Sequence, residues 1–152
     1  RGDEERVVQQ FCAWLTSQGW DVEREVDFVD VAARRGDERL YAEAKGRTSS
    51  IGLDVDTLYG QLLRRMPAEE VGVAQFGVVV PAEAAGAAMR VPARVRQLLR
   101  IEVYVVNLDG SVEVRQEQGR RLFAEARLCE GEQKAERISV AAMVQGLALS
   151  NR

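Results

Sequence analysis

The chain has 152 residues, a formal net charge of −3 and no histidine. Hydrophobic residues make up 46% of it and charged residues 30%, a balance that is typical of one folded domain and excludes a disordered chain. The lack of histidine excludes imidazole bases, histidine-containing zinc sites and Ser-His-Asp or Cys-His catalysis. The slightly acidic charge argues against a passive nucleic-acid coat protein, which would be strongly basic.

The first predicted elements are a helix and a β-hairpin. Apolar side chains recur at helical spacing over residues 7–15, after an N-cap at Asp3 and before a stop at Gly19. Strand-like composition follows over residues 22–34. A loop that begins with Gly36 is typical of a two-residue type II′ turn, and the residues after it alternate again.

A second helix and further strands complete the predicted core. An amphipathic helix is expected over residues 54–66, and the apolar runs at 75–80 and 101–106 are typical of buried strands, with short helices between them. We therefore predict a mixed α/β fold with an α-β-β-β-α-β-α-β core in residues 1–110. Residues 111–152 are expected to add a hairpin strand and two C-terminal helices to the same domain.

The predicted hairpin brings ionisable side chains together. With the loop at Gly36, the numbers of paired residues add up to 73, which places Asp30 directly opposite Glu43. Side chains two apart on a strand share a face, so Lys45 is expected on the side of Glu43. Two opposed carboxylates repel each other unless a cation lies between them, and Mg²⁺ prefers such hard oxygen ligands. The pattern therefore predicts a Mg²⁺ site at Asp30 and Glu43, with the carbonyl of Ala44 as a further ligand.

Lys45 is then available to hold an attacking water or to stabilise charge on a phosphate. Two alternatives stay open at this point. An aspartate on one strand and Glu-x-Lys on the next are also common as a solvated ion-pair face. A register slip of one residue would bring Asp27 to the side of Glu43 in place of Asp30. We favour Asp30 because a loop that begins with glycine sets the register.

The order of elements and residues resembles that of the PD-(D/E)XK nuclease superfamily. An initial helix is followed by an aspartate on the second strand, by Glu43-Ala44-Lys45 on the third strand and by a helix that carries Gln61. The chain is most similar to the restriction-endonuclease-like, Holliday-junction-resolvase-like and Mrr-like branches. The resemblance covers residues 4–108 and implies a restriction-endonuclease-like mixed sheet flanked by helices.

The resemblance also implies a function, metal-dependent hydrolysis of phosphodiester bonds in DNA with Mg²⁺ or Mn²⁺ as cofactor. The implied roles are metal ligation by Asp30 and Glu43, catalysis by Lys45, and a position for Gln61 beside the lysine or the DNA backbone. The chain departs from the family pattern at two places. Valine rather than proline precedes Asp30, and Arg65 stands four residues after Gln61 where one branch has tyrosine.

Basic side chains near the site are candidates for contacts with DNA phosphates. Arg64 and Arg65 lie on the polar side of the helix that carries Gln61, and Arg47 follows the hairpin; an ordinary solvated face is the alternative for these arginines. Glu4 on the first helix is a weaker candidate for tuning the metal, since a glutamate in a first turn more often only complements the helix dipole.

The competing hypotheses are a nuclease-fold module that binds nucleic acid or assembles with proteins without catalysis, and an unrelated α/β domain with a surface ion network. The two C-terminal helices are expected either to pack on their own sheet or to form a homodimer contact.

Cys12 and Cys129 fit no metal or redox spacing, and no apolar run approaches the roughly 20 residues of a membrane helix. We therefore expect a cytoplasmic protein with no membrane partner. The sequence begins at Arg1, which leaves open that it belongs to a longer chain or complex.

Overall fold

The computed structural model describes residues 2–26, 29–47 and 49–115. The helices and strands, in chain order, are α1 (Gly2–Ser17), β1 (Asp21–Val26), β2 (Val29–Arg35), β3 (Glu38–Ala44), α2 (Ile51–Arg65), β4 (Gln75–Pro81), α3 (Ala85–Ala88), α4 (Ala93–Leu98), β5 (Ile101–Val106) and β6 (Val112–Arg115). The predicted mixed α/β fold and its α-β-β-β-α-β-α-β order are confirmed. The predicted C-terminal helices and Asp27 lie outside the described residues, and the boundary at residue 110 stays a prediction.

Six strands form one mixed sheet in the order β1-β2-β3-β4-β5-β6. The first three strands are antiparallel neighbours, β3, β4 and β5 run parallel to one another, and β6 is antiparallel to β5. A parallel pair cannot be joined by a tight turn, so helices make these crossovers. Accordingly, α2 connects β3 with β4, and α3 and α4 connect β4 with β5.

The two faces of the sheet carry separate apolar cores. Val79 on β4 packs with α1, together with alternate residues of β2 and β3. Its neighbours Val78 and Val80 pack with α2 and α3 on the opposite face. Because β4 is buried on both sides, it reads in sequence as an unbroken apolar run, as predicted. No helix in the described part of the chain is long and apolar enough to cross a membrane.

The predicted register of the β2–β3 hairpin is confirmed. Val31 pairs with Ala42 and Arg35 with Glu38, so the residue numbers of each pair add up to 73. Gly36 opens the loop with a φ of +59°, a conformation that glycine adopts without steric cost and that a turn of this class requires at its first position. The register carries the hairpin to its open end, where Asp30 and Glu43 lie.

Two predicted helix starts were wrong. Asp3 lies inside the first turn of α1 and is not its N-cap, because its carboxylate accepts a hydrogen bond from the backbone N–H of Arg47 and pairs with Arg6. Helix α2 begins at Ile51, three residues before the predicted start, and Asp54 lies in its first turn, where a carboxylate favours the helix dipole. Both differences bring the helices closer to the end of β3.

The N-terminus of α1 packs directly on the chain that leaves β3. A Cβ atom added at Gly46 would lie 2.4 Å from the backbone nitrogen of Glu4 and 2.7 Å from its Cα. Those distances are too short for any side chain at this position. The neighbouring atoms belong to the backbone of α1, so they cannot move aside as a flexible side chain could. Gly46 therefore permits a contact that holds the first turn of α1 against residues 45–47.

We expect Gly46→Ala to lower the free energy of unfolding by about 2 kcal/mol or more, because the methyl group would push α1 away from the sheet. Gly52→Ala is the matched control, since nothing lies within 4 Å of its added Cβ on α2. The control should raise the free energy of unfolding by about 0.5 kcal/mol. Urea unfolding of the two variants measures both values, and equal effects would contradict the close packing at Gly46.

Candidate functional site

Two carboxylates meet at the open end of the β2–β3 hairpin. The Oδ2 atom of Asp30 accepts a hydrogen bond of 2.8 Å from the backbone N–H of Ala44, which holds the aspartate against β3. Glu43 is 1% exposed and lies close enough to Asp30 for the two carboxyl groups to interact electrostatically. The structure thus brings together the two residues that were predicted to bind a metal ion.

Arg65 reaches this pair from the last turn of α2. Its Nη1 atom lies 2.8 Å from both carboxylate oxygens of Glu43. Its charge also acts on Asp30, and a third of its side chain is exposed. Two carboxylates therefore face one guanidinium, so the cluster would keep a net negative charge if both acids were ionised.

The electrostatics of Glu43 reflect this arrangement. Burial raises the pKa of Glu43 to about 7. The hydrogen bond from Arg65 opposes that increase, whereas the negative charge of Asp30 adds to it. The same contact with Glu43 raises the pKa of Arg65, which remains a cation. Glu43 is therefore partly protonated near neutral pH.

Lys45 is held by the other helix. Its Nζ atom lies 3.3 Å from an Oε atom of Glu4 in the first turn of α1, and its backbone N–H donates to the carbonyl of Val79. Strand β3 ends at Ala44, so strand alternation no longer decides on which side Lys45 lies. Glu4, a candidate for tuning the metal, contacts the lysine.

The other predicted residues lie around this centre in different settings. Gln61 is half-buried on α2, four residues before Arg65 and so on the same side of the helix. Arg64 is exposed. Arg47 is largely exposed and forms an ion pair of 3.2 Å with Glu83. Of the three arginines predicted to contact phosphate, Arg65 is the one that points at the carboxylates.

A small groove lies beside Lys45, at the carboxyl ends of β3 and β4. Its lining includes the basic residues Lys45 and Arg47, the acidic residues Asp54 and Glu83, and Pro81, the last residue of β4. Asp30, Glu43 and Arg65 are not among its lining residues.

The residues of this site fit a Mg²⁺ ion. Within residues 2–26, 29–47 and 49–115, no three histidine, cysteine or acidic side chains form a metal-binding cluster, so Asp30 and Glu43 stand as a pair. Mg²⁺ is commonly bound in this way, by one or two carboxylates, with waters and substrate phosphates completing its shell. A further ligand would come from a backbone carbonyl, for which Ala44 is the predicted residue.

Sequence reasoning missed two contacts, Glu43 with Arg65 and Lys45 with Glu4. Both join the hairpin to a helix that is distant in sequence, so no spacing rule could find them. A partial signal existed for Arg65, because the crossover helix between two parallel strands must pack on the sheet. An arginine on that helix was therefore a candidate partner for the buried glutamate.

The solved structures that this chain resembles include two of low sequence identity. An XisH family protein from Nostoc punctiforme PCC 73102 has a TM-score of 0.49 and 17% identity, over 73% of this chain and 99% of that chain. An FdxN element excision controlling factor protein from Anabaena variabilis has a TM-score of 0.48 and 18% identity, over 76% of this chain and all of that chain. No protein-family model matches the sequence, and no curated protein matches it.

We expect Glu43→Gln to flatten the dependence of stability on pH between pH 4.5 and 7. The pKa of Glu43 is about 7 in the folded protein and has an ordinary value of 4.5, so the folded state holds more protons in this interval. Stability contributed by protonated Glu43 is therefore fully present below pH 4.5 and is lost as the pH rises to 7, by an amount on the order of 2 kcal/mol.

Urea unfolding at the two pH values measures this difference, with Glu69→Gln as the control because Glu69 is exposed. The control variant should keep the slope of the parent. A parent and a Glu43→Gln variant with the same slope would show that the buried carboxyl does not have a raised pKa.

Proposed function

We propose that this chain is a Mg²⁺-dependent nuclease of the PD-(D/E)XK type that hydrolyses phosphodiester bonds in DNA. One observation carries the proposal: the buried carboxyl group of Glu43 lies close to that of Asp30, and one guanidinium contacts the pair, so that full ionisation of both acids would leave a net negative charge. A divalent cation would complete that balance, and both residues offer the oxygen ligands that Mg²⁺ prefers.

Asp30 and Glu43 would hold the ion, with the Ala44 carbonyl as a third protein ligand. When bound, Mg²⁺ supplies Lewis-acid activation of a water or a phosphoryl oxygen. The protein contributes the orientation of these ligands. The backbone N–H of Ala44 fixes the carboxylate of Asp30, and the surrounding residues bury Glu43 away from bulk water.

Lys45 would act on the reacting phosphate or on the attacking water. Its ammonium group is a compact donor that stabilises negative charge as it develops on a phosphate. Only two of the 21 basic residues in the chain are lysines, and the other 19 are arginines. Lysine differs from arginine in that it is a point charge and can lose its proton when its surroundings require it. This choice of residue favours a chemical role over a simple ion pair with Glu4.

Exposed arginines would position the DNA. Arg64 on α2 and Arg47 beside the groove can contact phosphates, which fixes the substrate without reading its sequence. Gln61 would lie beside the backbone or the lysine, as the resemblance implies. The proposed substrate is therefore DNA recognised through its backbone.

One observation favours the second candidate, a nuclease-fold module without catalysis. The guanidinium of Arg65 already pairs with both oxygens of Glu43. Such a pair compensates the buried charge in part without any metal. Binding of DNA or a protein without cleavage, in both Mg²⁺ and Mn²⁺, would support this module over the nuclease.

We expect the parent protein to cleave plasmid, branched or single-stranded DNA in Mg²⁺ or Mn²⁺ and to lose this activity when the metal is chelated. Glu43→Gln should reduce the rate at least about 100-fold, because it removes a ligand charge. Lys45→Arg should reduce it similarly while preserving the positive charge beside Glu4. Gel assays of initial rates on the three substrates measure both effects.

Glu69→Gln is the matched control for the carboxyl-to-amide change and should cleave at the parental rate. The free energy of unfolding of Lys45→Arg distinguishes loss of chemistry from loss of fold. If Lys45→Arg is as active as the parent, the lysine serves only as an ion-pair partner. If no condition gives cleavage, the nuclease proposal is wrong.

A further inference from the structure

Arg65 is the residue of the site that the proposed reaction leaves without a role. Its Nη1 atom lies 2.8 Å from each oxygen of Glu43, so its charge is shared symmetrically between them. Glu43 is 1% exposed, whereas the side chain of Arg65 is 33% exposed. The arginine therefore covers the carboxylate from the solvent side.

A metal ion and the guanidinium of Arg65 compete for the same carboxylate oxygens of Glu43. The oxygens that would ligate Mg²⁺ at about 2.1 Å already accept hydrogen bonds from Arg65. Two cations at such close range repel each other strongly, and the more so away from bulk water. Binding of the ion is therefore expected to be coupled to withdrawal of the guanidinium.

Withdrawal is possible on the side where Arg65 is exposed. The residue lies in the last turn of α2, and its long side chain can reach solvent without any change in the helix. In contrast, the metal-free protein needs the arginine, because a buried carboxylate beside another carboxylate would otherwise have no cationic partner.

We propose that Arg65 is an internal counterion that occupies Glu43 in the metal-free protein, lowers the affinity for Mg²⁺, and leaves Glu43 when the ion binds. The inference rests on the proposed metal site at Asp30 and Glu43. Once released, the guanidinium lies at the edge of the site with its donors free for a phosphate group. Metal loading and the freedom of Arg65 to bind phosphate are thus coupled.

Isothermal titration of Mg²⁺ into DNA-free protein tests the competition. Arg65→Gln should bind Mg²⁺ about 10-fold more tightly than the parent, because no cation has to be displaced. Arg90→Gln makes the same change at an exposed arginine to which the proposed reaction gives no role, and should leave the affinity unchanged. In a Glu43→Gln background, Arg65→Gln should no longer increase the affinity.

Thermal unfolding provides a second readout. Without metal, Arg65→Gln should melt below the parent, and saturating Mg²⁺ should raise its melting temperature by more than it raises that of the parent. If the variant does not fold, NMR of the parent decides. The Nη1–H signals of Arg65, which donate to Glu43, should be protected from solvent exchange without metal and lose protection at saturating Mg²⁺.

The outcomes separate this inference from the function on which it rests. Equal or weaker Mg²⁺ binding by Arg65→Gln, or a guanidinium that stays protected in Mg²⁺, would overturn the counterion role and leave the metal site intact. If neither the parent nor Arg65→Gln binds Mg²⁺, the metal site itself is absent and both proposals are wrong.

Discussion

The structure of the site depends on one unfavourable interaction, the approach of the partly exposed Asp30 to the buried carboxyl group of Glu43. Asp30 and Glu43 directly adjoin Val31 and Ala42, the last pair of a hairpin register that one glycine-first loop determines. Burial and mutual repulsion both disfavour ionisation of Glu43. The surrounding charges therefore compensate this pair, and their arrangement decides what the site can bind.

The helices on the two faces of the sheet each bring one charged side chain to the end of the hairpin. From one face, α1 places Glu4 beside Lys45 and rests on Gly46; from the other, α2 places Arg65 on Glu43. The acid and the base of the Glu-x-Lys motif are thus held by different helices. Because both helices are anchored in separate apolar cores, a shift of either one would alter a different half of the site.

Local chemistry made the hairpin predictable from the sequence. The contacts of the hairpin with helices that are distant in sequence were not predictable in this way. Gly36 determined the turn, and the turn determined the pairing of the two strands up to Val31 and Ala42, next to Asp30 and Glu43. The two buried parallel strands were visible as apolar runs for the same reason. In contrast, the contact of Arg65 with Glu43 depends on how α2 crosses the sheet, and that of Lys45 with Glu4 depends on where β3 ends. Neither contact is a property of a local segment. The sequence pattern therefore placed Lys45 on the side of Glu43 but could not identify Glu4 as the ion-pair partner of Lys45.

A fold of this kind has no structural need for charges at these positions. A buried ion pair is often no more stabilising than apolar residues of the same volume, because desolvation offsets the attraction of the two charges. Here a second carboxylate adds repulsion, so residues such as leucine and valine would serve the sheet at least as well. Residues that lower the stability of a fold in this way are expected at positions where a protein binds a ligand or carries out a reaction. Under the proposed function, the neighbouring acids, the lysine that follows β3 and the arginine that covers Glu43 would serve one purpose, the binding of a cation and a phosphate.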